Sequence, residues 1–364
     1  MLSLLLSVFL TFVEYNCENL FDCQHDSLKE DMQFTPEGMY RWTPGRYWKK
    51  LNHISQAILS CAGDSASATI PDMIALTEVE NDSVMRDLTK RSLMRNARYE
   101  YVMTSSPDVR GIDVALAYSP YSFRLLSSHS IRVRMPDGVR PTRDILYASG
   151  LLVSGDTLHI YIVHSPSRSG GEHLTQPYRM LVAERLCTSI DSLRAVCPNA
   201  RIIVAGDFND YSTNRSLMRI ADNGMIEVSQ KATGRNGAKG TTAFRESGGV
   251  STIYSSAEIW LKISRDATST MPPSCLRKRA NMEECVPNAV SGDLCTSMAT
   301  AIICHLLPHS VWNEVWTDVL VILYYHHLNK RKSHVLTIVG NLSHSSVLDD
   351  EKFAIYCLVA VVTI

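Results

Sequence analysis

Residues 204–210 read VAGDFND and carry the strongest signal in the sequence. The apolar run 201–205 has the length and composition of a buried strand, and it ends abruptly in a glycine, two carboxylates and an amide. α/β proteins place their chemistry at strand ends, because a rigid sheet aims side chains from there into one crevice. Asp207 and Asn209 are therefore candidate catalytic residues. A plain strand-to-loop turn, with both side chains capping backbone groups, would give the same short pattern.

Three other predicted strands also end in polar residues. The strand that begins at residue 11 ends at Asn16, the one from residue 73 runs into Glu78, and the one from residue 158 runs into His164. Taken singly, Glu78 could be a surface carboxylate and His164 a histidine packed in a loop. Four polar strand ends in one chain favour catalysis over four unrelated turns.

Helical spacing alternates with these strands. Pro44 opens a helix predicted over 45–62, and residues 82–95 and 174–196 also have helical spacing. Alternating patterns predict further strands at 101–104, 114–118, 123–134 and 145–153. Strands and helices that alternate with many antiparallel connections indicate an α/β fold in which helices cover sheets.

The composition leaves room for one large domain. The chain has 364 residues, is 45% hydrophobic and carries a formal net charge of -1. A neutral chain argues against strong, indiscriminate binding to nucleic acid, which depends on neutralising phosphates. The ten cysteines show no CxxC pair and no zinc spacing, so we interpret them as mostly buried thiols.

The first residues are apolar, and two interpretations stand side by side. Residues 1–11 resemble the core of a signal peptide, but no Lys or Arg precedes the run and no cleavage site follows it. The run is either a shortened secretory signal, which implies a secreted or periplasmic protein, or an extension of the first strand, which implies a cytoplasmic one. It is too short to span a bilayer as a helix, and we expect no membrane span elsewhere.

The polar strand ends suit the hydrolysis of a phosphate ester. That reaction needs a divalent metal, a group that orients water and donors for the extra negative charge. Glu78, with Asn16 beside it, offers the hard oxygen ligands that Mg²⁺ prefers. His164 would donate to a phosphate oxygen, while Asp207 and Asn209 would orient water and the phosphate. Asp113 either holds a neighbouring catalytic group or serves a turn.

Five ordered motifs resemble those of the endonuclease/exonuclease/phosphatase superfamily, the fold family of deoxyribonuclease I, and most closely an uncharacterised bacterial branch. They are NCENLFD at 16–22, LTEVEN at 76–81, RGIDVA at 110–115, HSPSR at 164–168 and GDFN at 206–209. The resemblance covers residues 12–241. It implies a four-layer α/β sandwich of two mostly antiparallel sheets flanked by helices. It also implies an Mg²⁺ or Mn²⁺ phosphoesterase with Glu78 and Asn16 on the metal, and His164, Asp207 and Asn209 in the site.

The two last motifs of such proteins, Ile-Asp-His and Ser-Asp-His, do not stand in this chain. Back-translated and read from the third base of each codon, residues 247–256 can give WGSIDHIFVS, and residues 300–305 can give SDHLP. Both lie in one alternative frame and in the right order. We interpret residues 242–364 as an out-of-frame tail without a native fold, and expect the C-terminal strands to be missing. A genuine divergent extension is the alternative.

The sequence thus predicts a phosphoesterase that acts on phosphodiester or phosphomonoester bonds and is impaired in this chain by the loss of the last motifs. The alternatives are a non-catalytic pseudoenzyme and an unstable frameshift product. Its partner is a phosphate-ester substrate, either nucleic acid or a small phosphoester, and fold alone does not choose between them. The oligomeric state does not follow from the sequence.

Overall fold

The computed structural model describes residues 9–61, 70–229, 242–245, 251–254, 257–262, 336–348 and 351–363, and after residue 229 it describes the backbone alone. All of these residues belong to one compact unit. The apolar start before Phe9 and the segment 300–305 lie outside the described residues, as do residues 247–250, 255 and 256.

Up to residue 207, the elements follow the predicted order. They are β1 Phe9–Leu20, α1 Pro44–Ser60, β2 Met73–Val79, α2 Asp82–Arg86, β3 Glu100–Met103, β4 Asp113–Tyr118, β5 Phe123–Ile131, β6 Ile145–Leu152, β7 Thr157–His164, α3 Glu172–Val196, β8 Arg201–Asp207, α4 Arg215–Asp222, β9 Ile226–Glu227, β10 Thr242–Arg245, β11 Ser251–Tyr254, β12 Ala257–Lys262, β13 Leu336–Leu348 and β14 Glu351–Thr363.

The helix predicted over 82–95 is broken into three pieces. After α2, a π-turn covers Asp87–Arg91 and a 3-10 turn covers Leu93–Ala97. The break lies at Ser92, whose backbone is extended and whose hydroxyl accepts a hydrogen bond from the Met94 amide at 3.0 Å. A serine that satisfies the amide of a new turn competes with continuation of the helix.

Two six-stranded sheets pack face to face between helices. The first sheet has the order β13-β14-β1-β2-β4-β3, and the second has β5-β6-β7-β8-β12-β9. Within each sheet one inner pair is parallel, β1 with β2 and β7 with β8. Three buried clusters separate the layers: one between α1 and the first sheet, one between the sheets, and one between the second sheet and helices α3 and α4. This is the predicted four-layer α/β sandwich.

The structure differs from the expectation of missing C-terminal strands. β12 pairs antiparallel with β8, and β14 pairs antiparallel with β1. Without these partners, the edges of β1 and β8 would present unpaired backbone donors and acceptors, which an extended segment of almost any sequence can satisfy. None of the helices in the described part of the chain has the length and apolarity that a bilayer span needs.

Candidate active site

Four predicted site residues meet at one end of the two sheets. Asn16, Glu78, His164 and Asp207 lie at or near the carboxyl ends of β1, β2, β7 and β8. Since β1 is parallel to β2 and β7 to β8, each pair of strand ends shares an edge. Contacts then cross between the sheets. Asn16 Nδ2 donates to Asp207 Oδ2 at 2.9 Å, and His164 Nε2 lies 3.7 Å from Glu78 Oε1.

Backbone irregularities aim these side chains. The pairing of β2 with β4 shifts register between Thr77 and Val79, and Glu78 between them has a φ of 58°. A bulge at a strand end turns a side chain that would otherwise follow the alternation of the strand. Asn209 is also left-handed, with a φ of 52°. Such conformations cost energy and tend to occur where function requires them.

Gly206 allows β7 and β8 to approach closely beside the site. Its φ is 136°, and a Cβ at this position would lie 1.9 Å from the Val163 carbonyl oxygen. The close approach sets His164 opposite Asp207 in the parallel register. No other residue type fits this backbone, since any side chain would meet both the clash and the φ penalty.

The loops after β7 and β8 are tied to each other by hydrogen bonds. The Ser165 amide donates to the Asp207 carbonyl at 2.9 Å, and Asn209 Nδ2 donates to the Ser165 carbonyl at 3.1 Å. The Asn209 amide also donates to Asp207 Oδ1 at 2.9 Å. Both oxygens of Asp207 therefore have donors, and Asn209 fixes the geometry of the two loops.

His164 is buried in surroundings that disfavour its charged form. Its side chain is 2% exposed, and burial, followed by the charges of Arg143 and Arg110, lowers its pKa well below the usual value. Its Nδ1 has no hydrogen-bond partner among the described residues. A neutral imidazole carries one proton, so it can donate to one oxygen while the other nitrogen accepts.

A second buried carboxyl lies beneath the site. Glu14 is fully buried on β1, two residues before Asn16, and neither of its oxygens has a hydrogen-bond partner within the described part of the chain. Burial, and secondly the charge of Asp207, raises the pKa of Glu14 well above its usual range. The sequence analysis did not select Glu14, because inside an apolar strand nothing distinguishes it from an edge residue.

Asp113 makes its contacts within its own loop. Its Oδ1 accepts a hydrogen bond from Thr104 Oγ1 at 2.5 Å and another from the Ser106 amide at 3.0 Å. These contacts close the connection between β3 and β4. They correspond to the turn role that the sequence left open beside a catalytic one.

The donor set can be tested against the divalent cation that the resemblance implies. Among the described residues, no group of three or more His, Cys, Asp and Glu side chains could hold a metal ion. Mg²⁺, however, keeps several waters and is commonly bound by one or two carboxylates together with substrate phosphates. Glu78 is a carboxylate whose side chain is 14% exposed, and Asn16 Oδ1, which accepts one bond from the Glu18 amide, retains a second lone pair. These residues fit such a cation.

Three arginines that the sequence analysis passed over organise the site. Arg110 lies 3.9 Å from Glu78 Oε2 through its Nη2. Arg143 Nη1 pairs with Asp108, and its Nη2 donates to the Ser165 carbonyl at 2.7 Å. Arg179 is fully buried and could have been selected from the sequence. It occupies a position on the apolar face of α3, where an arginine needs a buried partner.

Comparisons with known proteins agree with this architecture. The sequence matches the family described as Endonuclease/Exonuclease/phosphatase family over residues 11–247, more than half of the chain. A comparison with curated proteins found no match.

Several solved structures are similar to this chain. An endonuclease/exonuclease/phosphatase family protein from Bacteroides thetaiotaomicron is 12% identical, and the alignment covers 98% of each chain with a TM-score of 0.51. A mannosyl-6-phosphatase from Bacteroides thetaiotaomicron is 16% identical over 70% of this chain and 85% of its own, with a TM-score of 0.49. The human nocturnin catalytic domain is 17% identical over 70% of this chain and 85% of its own, with a TM-score of 0.47. Members of the matched family are phosphoric ester hydrolases, and the chain belongs to the endonuclease/exonuclease/phosphatase family.

Proposed function

We propose that the site at the ends of β1, β2, β7 and β8 is that of an Mg²⁺- or Mn²⁺-dependent phosphoesterase, acting on phosphodiester or phosphomonoester bonds. One observation carries the proposal. Side chains from four separate strand tips are connected across the two sheets, through Asn16 with Asp207 and through His164 with Glu78. Structural capping explains one such contact but not the convergence of four strand tips from two sheets.

The residues divide the work as follows. Glu78 and Asn16 would hold the cation, which would supply charge to polarise the phosphoryl oxygens. His164, which is buried, donates a hydrogen bond to a phosphoryl oxygen. Asp207 accepts from a water, which attacks phosphorus in line with the leaving oxygen, and Asn209 keeps the loop of Asp207 in place.

We further propose that turnover by this chain is strongly reduced. The two terminal motifs supply a histidine and aspartates to the family site, and neither motif is present in the sequence. Strand pairing can be replaced by other residues, but a catalytic side chain cannot, since a displacement of about 1 Å can cost a hundredfold in rate.

A non-catalytic product is the competing candidate, and the same missing motifs favour it. It would either bind phosphate and metal without turnover, as a pseudoenzyme, or fail to fold. The two outcomes differ in Mn²⁺ binding, because a pseudoenzyme keeps Glu78 and Asn16 in place while an unfolded chain does not.

The test compares the full chain with Glu78→Gln. We expect Mn²⁺ to bind the full chain, measured by calorimetry, and Glu78→Gln to weaken that binding at least about tenfold, since the amide removes the charged ligand. Hydrolysis of bis(p-nitrophenyl) phosphate and p-nitrophenyl phosphate is measured in parallel, with Mn²⁺, with Mg²⁺ and with EDTA.

The outcomes separate the proposals. Mn²⁺ binding that does not depend on Glu78 would sink the metal site. Fast hydrolysis that persists in EDTA would sink metal dependence. Rates in the range of ordinary phosphoesterases, with kcat of about 1–1000 per second, would contradict the proposed impairment and leave the phosphoesterase assignment intact.

A further inference from the structure

We infer that Arg110 is a phosphate-binding residue of this site, a role that rests on the proposed function and extends it to an anchor for the phosphoryl group. The strand-tip residues bring negative charge from Glu78 and Asp207, and a phosphoryl group adds more. Binding it requires a cation beside the metal.

Two arginines border the strand-tip residues, Arg110 beside Glu78 and Arg143 beside the Ser165 carbonyl, and they differ in availability. Arg143 is 8% exposed, and its Nη1 and Nη2 are engaged by Asp108 at 3.1 Å and by the Ser165 carbonyl at 2.7 Å. Arg110 is 36% exposed. Within the described residues, its guanidinium makes one hydrogen bond, from Nη2 to Asn19 Oδ1. In the part of the chain that the structure describes, the remaining N–H groups of the guanidinium make no hydrogen bond, so they can bind a ligand.

The position of Arg110 fits a phosphoryl oxygen. Arg110 lies beside Glu78 Oε2, and His164 lies beside the other oxygen of the same carboxylate, Oε1. The two donors therefore flank one carboxylate from two directions. A phosphoryl group that lies next to Glu78 and contacts His164 would also be within reach of the Arg110 guanidinium. The planar fork of a guanidinium matches two oxygens of a phosphate.

Hydrogen bonds at Asp108 fix the loop that carries Arg110. The Arg110 amide donates to Asp108 Oδ1 at 2.9 Å, and Lys29 Nζ donates to the Asp108 carbonyl at 2.8 Å. Asp108 is also the ion-pair partner of Arg143, which donates to the Ser165 carbonyl. One buried carboxylate thus fixes the backbone of Arg110 relative to the loop after His164. A preorganised backbone lets the guanidinium bind without an ordering cost for the loop.

The test measures binding, so it does not depend on turnover. Inorganic phosphate is titrated into the full chain by calorimetry, once in EDTA and once with saturating Mn²⁺, and Mn²⁺ is titrated separately. We expect Arg110→Met to weaken phosphate binding about tenfold to a hundredfold, the range for hydrogen bonds to charged groups. Arg110→Lys, which keeps the charge and loses the fork, should fall between the two.

Two comparisons exclude a merely structural effect. Arg110→Met should bind Mn²⁺ as tightly as the wild type or up to about fivefold more tightly, because Glu78 loses a cationic neighbour. Arg140→Met is the matched control: Arg140 is an exposed arginine, 72% accessible, that pairs with the exposed Glu30. It should leave phosphate binding unchanged.

Several results would overturn the inference. They are unchanged phosphate affinity in Arg110→Met, an equal loss in Arg140→Met, a parallel loss of Mn²⁺ and phosphate binding, and a full chain that binds no phosphate. Failure of the metal site shows itself differently, as Mn²⁺ binding that Glu78→Gln leaves unaltered. Phosphate binding in EDTA then still decides the role of Arg110.

Discussion

The buried ion pair between Arg179 and Asp210 offers the sharpest test of how the site is held. Both side chains are 0% exposed, and Arg179 Nε lies 3.0 Å from Asp210 Oδ2. Asp210 follows the loop that carries Asp207, while Arg179 Nη1 reaches the loop after β7 through the Ser167 carbonyl at 3.5 Å. The pair therefore connects both site loops to α3.

The magnitude follows from what Asp210→Ala leaves behind. Asp210 also accepts from Asn214 Nδ2 at 2.6 Å and from Ser216 Oγ at 2.5 Å, so these two donors lose their acceptor. Arg179 keeps Thr175 Oγ1 at 2.7 Å but remains a buried cation without its counterion. Breaking a buried pair in this way costs about 3–5 kcal/mol, a large part of the roughly 5–15 kcal/mol that stabilises a domain.

Urea unfolding followed by tryptophan fluorescence measures this loss. The double variant Arg179→Met/Asp210→Leu should recover most of it, because an apolar pair of similar volume carries no unpaired charge. Asn214→Ala, which removes one donor to Asp210, should cost only about 1 kcal/mol. The reasoning would be refuted if Asp210→Ala lowered the free energy of unfolding by less than about 1 kcal/mol. It would also be refuted if the double variant lost as much stability as the two single substitutions, Arg179→Met and Asp210→Leu, lose together.

Three further predictions concern stability. Gly206→Ala should lower the free energy of unfolding by about 3 kcal/mol or more, because the new Cβ would lie 1.9 Å from the Val163 carbonyl oxygen. Gly138→Ala is the control: its φ is 78° but the space around it is open, so it should cost only about 1–2 kcal/mol, and similar losses in the two variants would contradict the clash. Glu14→Leu should raise the free energy of unfolding by about 1–3 kcal/mol, because it removes a buried carboxyl that has no hydrogen-bond partner among the described residues. A lower urea midpoint would argue for an unseen partner. Burial lowers the pKa of His159, so below about pH 6.5 the unfolded chain binds more protons than the folded chain, and the free energy of unfolding should fall as the pH drops. His159→Gln should flatten this dependence of stability on pH. An unchanged dependence would show that His159 does not cause it.

Much of the sandwich was predictable because its signals are local. The apolar periods and their turns placed α1 at Pro44–Ser60 and β6 at Ile145–Leu152, within a residue or two of the predicted bounds. The helix α4, Arg215–Asp222, was not predicted, since its eight residues offer only a short buried stripe. β8 extends past the predicted end at Ala205 to Asp207, because Gly206 keeps the backbone paired with β7.

The site was predictable in its residue types but not in its connections. Asn16, Glu78, His164 and Asp207 could be selected as strand ends, yet the pairing of Asn16 with Asp207 spans 191 positions of sequence. The roles of Arg110 and Arg143 also depend on tertiary contacts. A guanidinium in a loop gives no local sign of which carboxylate it will face, so only the folded chain distinguishes them.

The C-terminal strands bear directly on the interpretation of residues 242–364. β12 and β14 cover the inner edges of β8 and β1 through backbone pairing, from Ala257 opposite Asp207 and from Cys357 opposite Tyr15. Backbone groups are the same for every residue type except proline, so an out-of-frame sequence can close a sheet edge as readily as a selected one. Side-chain chemistry has no such tolerance, and the histidine of the last motif has no general substitute. We therefore predict a chain that folds around its sheets and turns over poorly. The nucleotide sequence around codon 241 decides the cause: a one-base loss relative to an intact reading frame supports the frameshift, and an unbroken frame in good reads would refute it and leave a divergent extension.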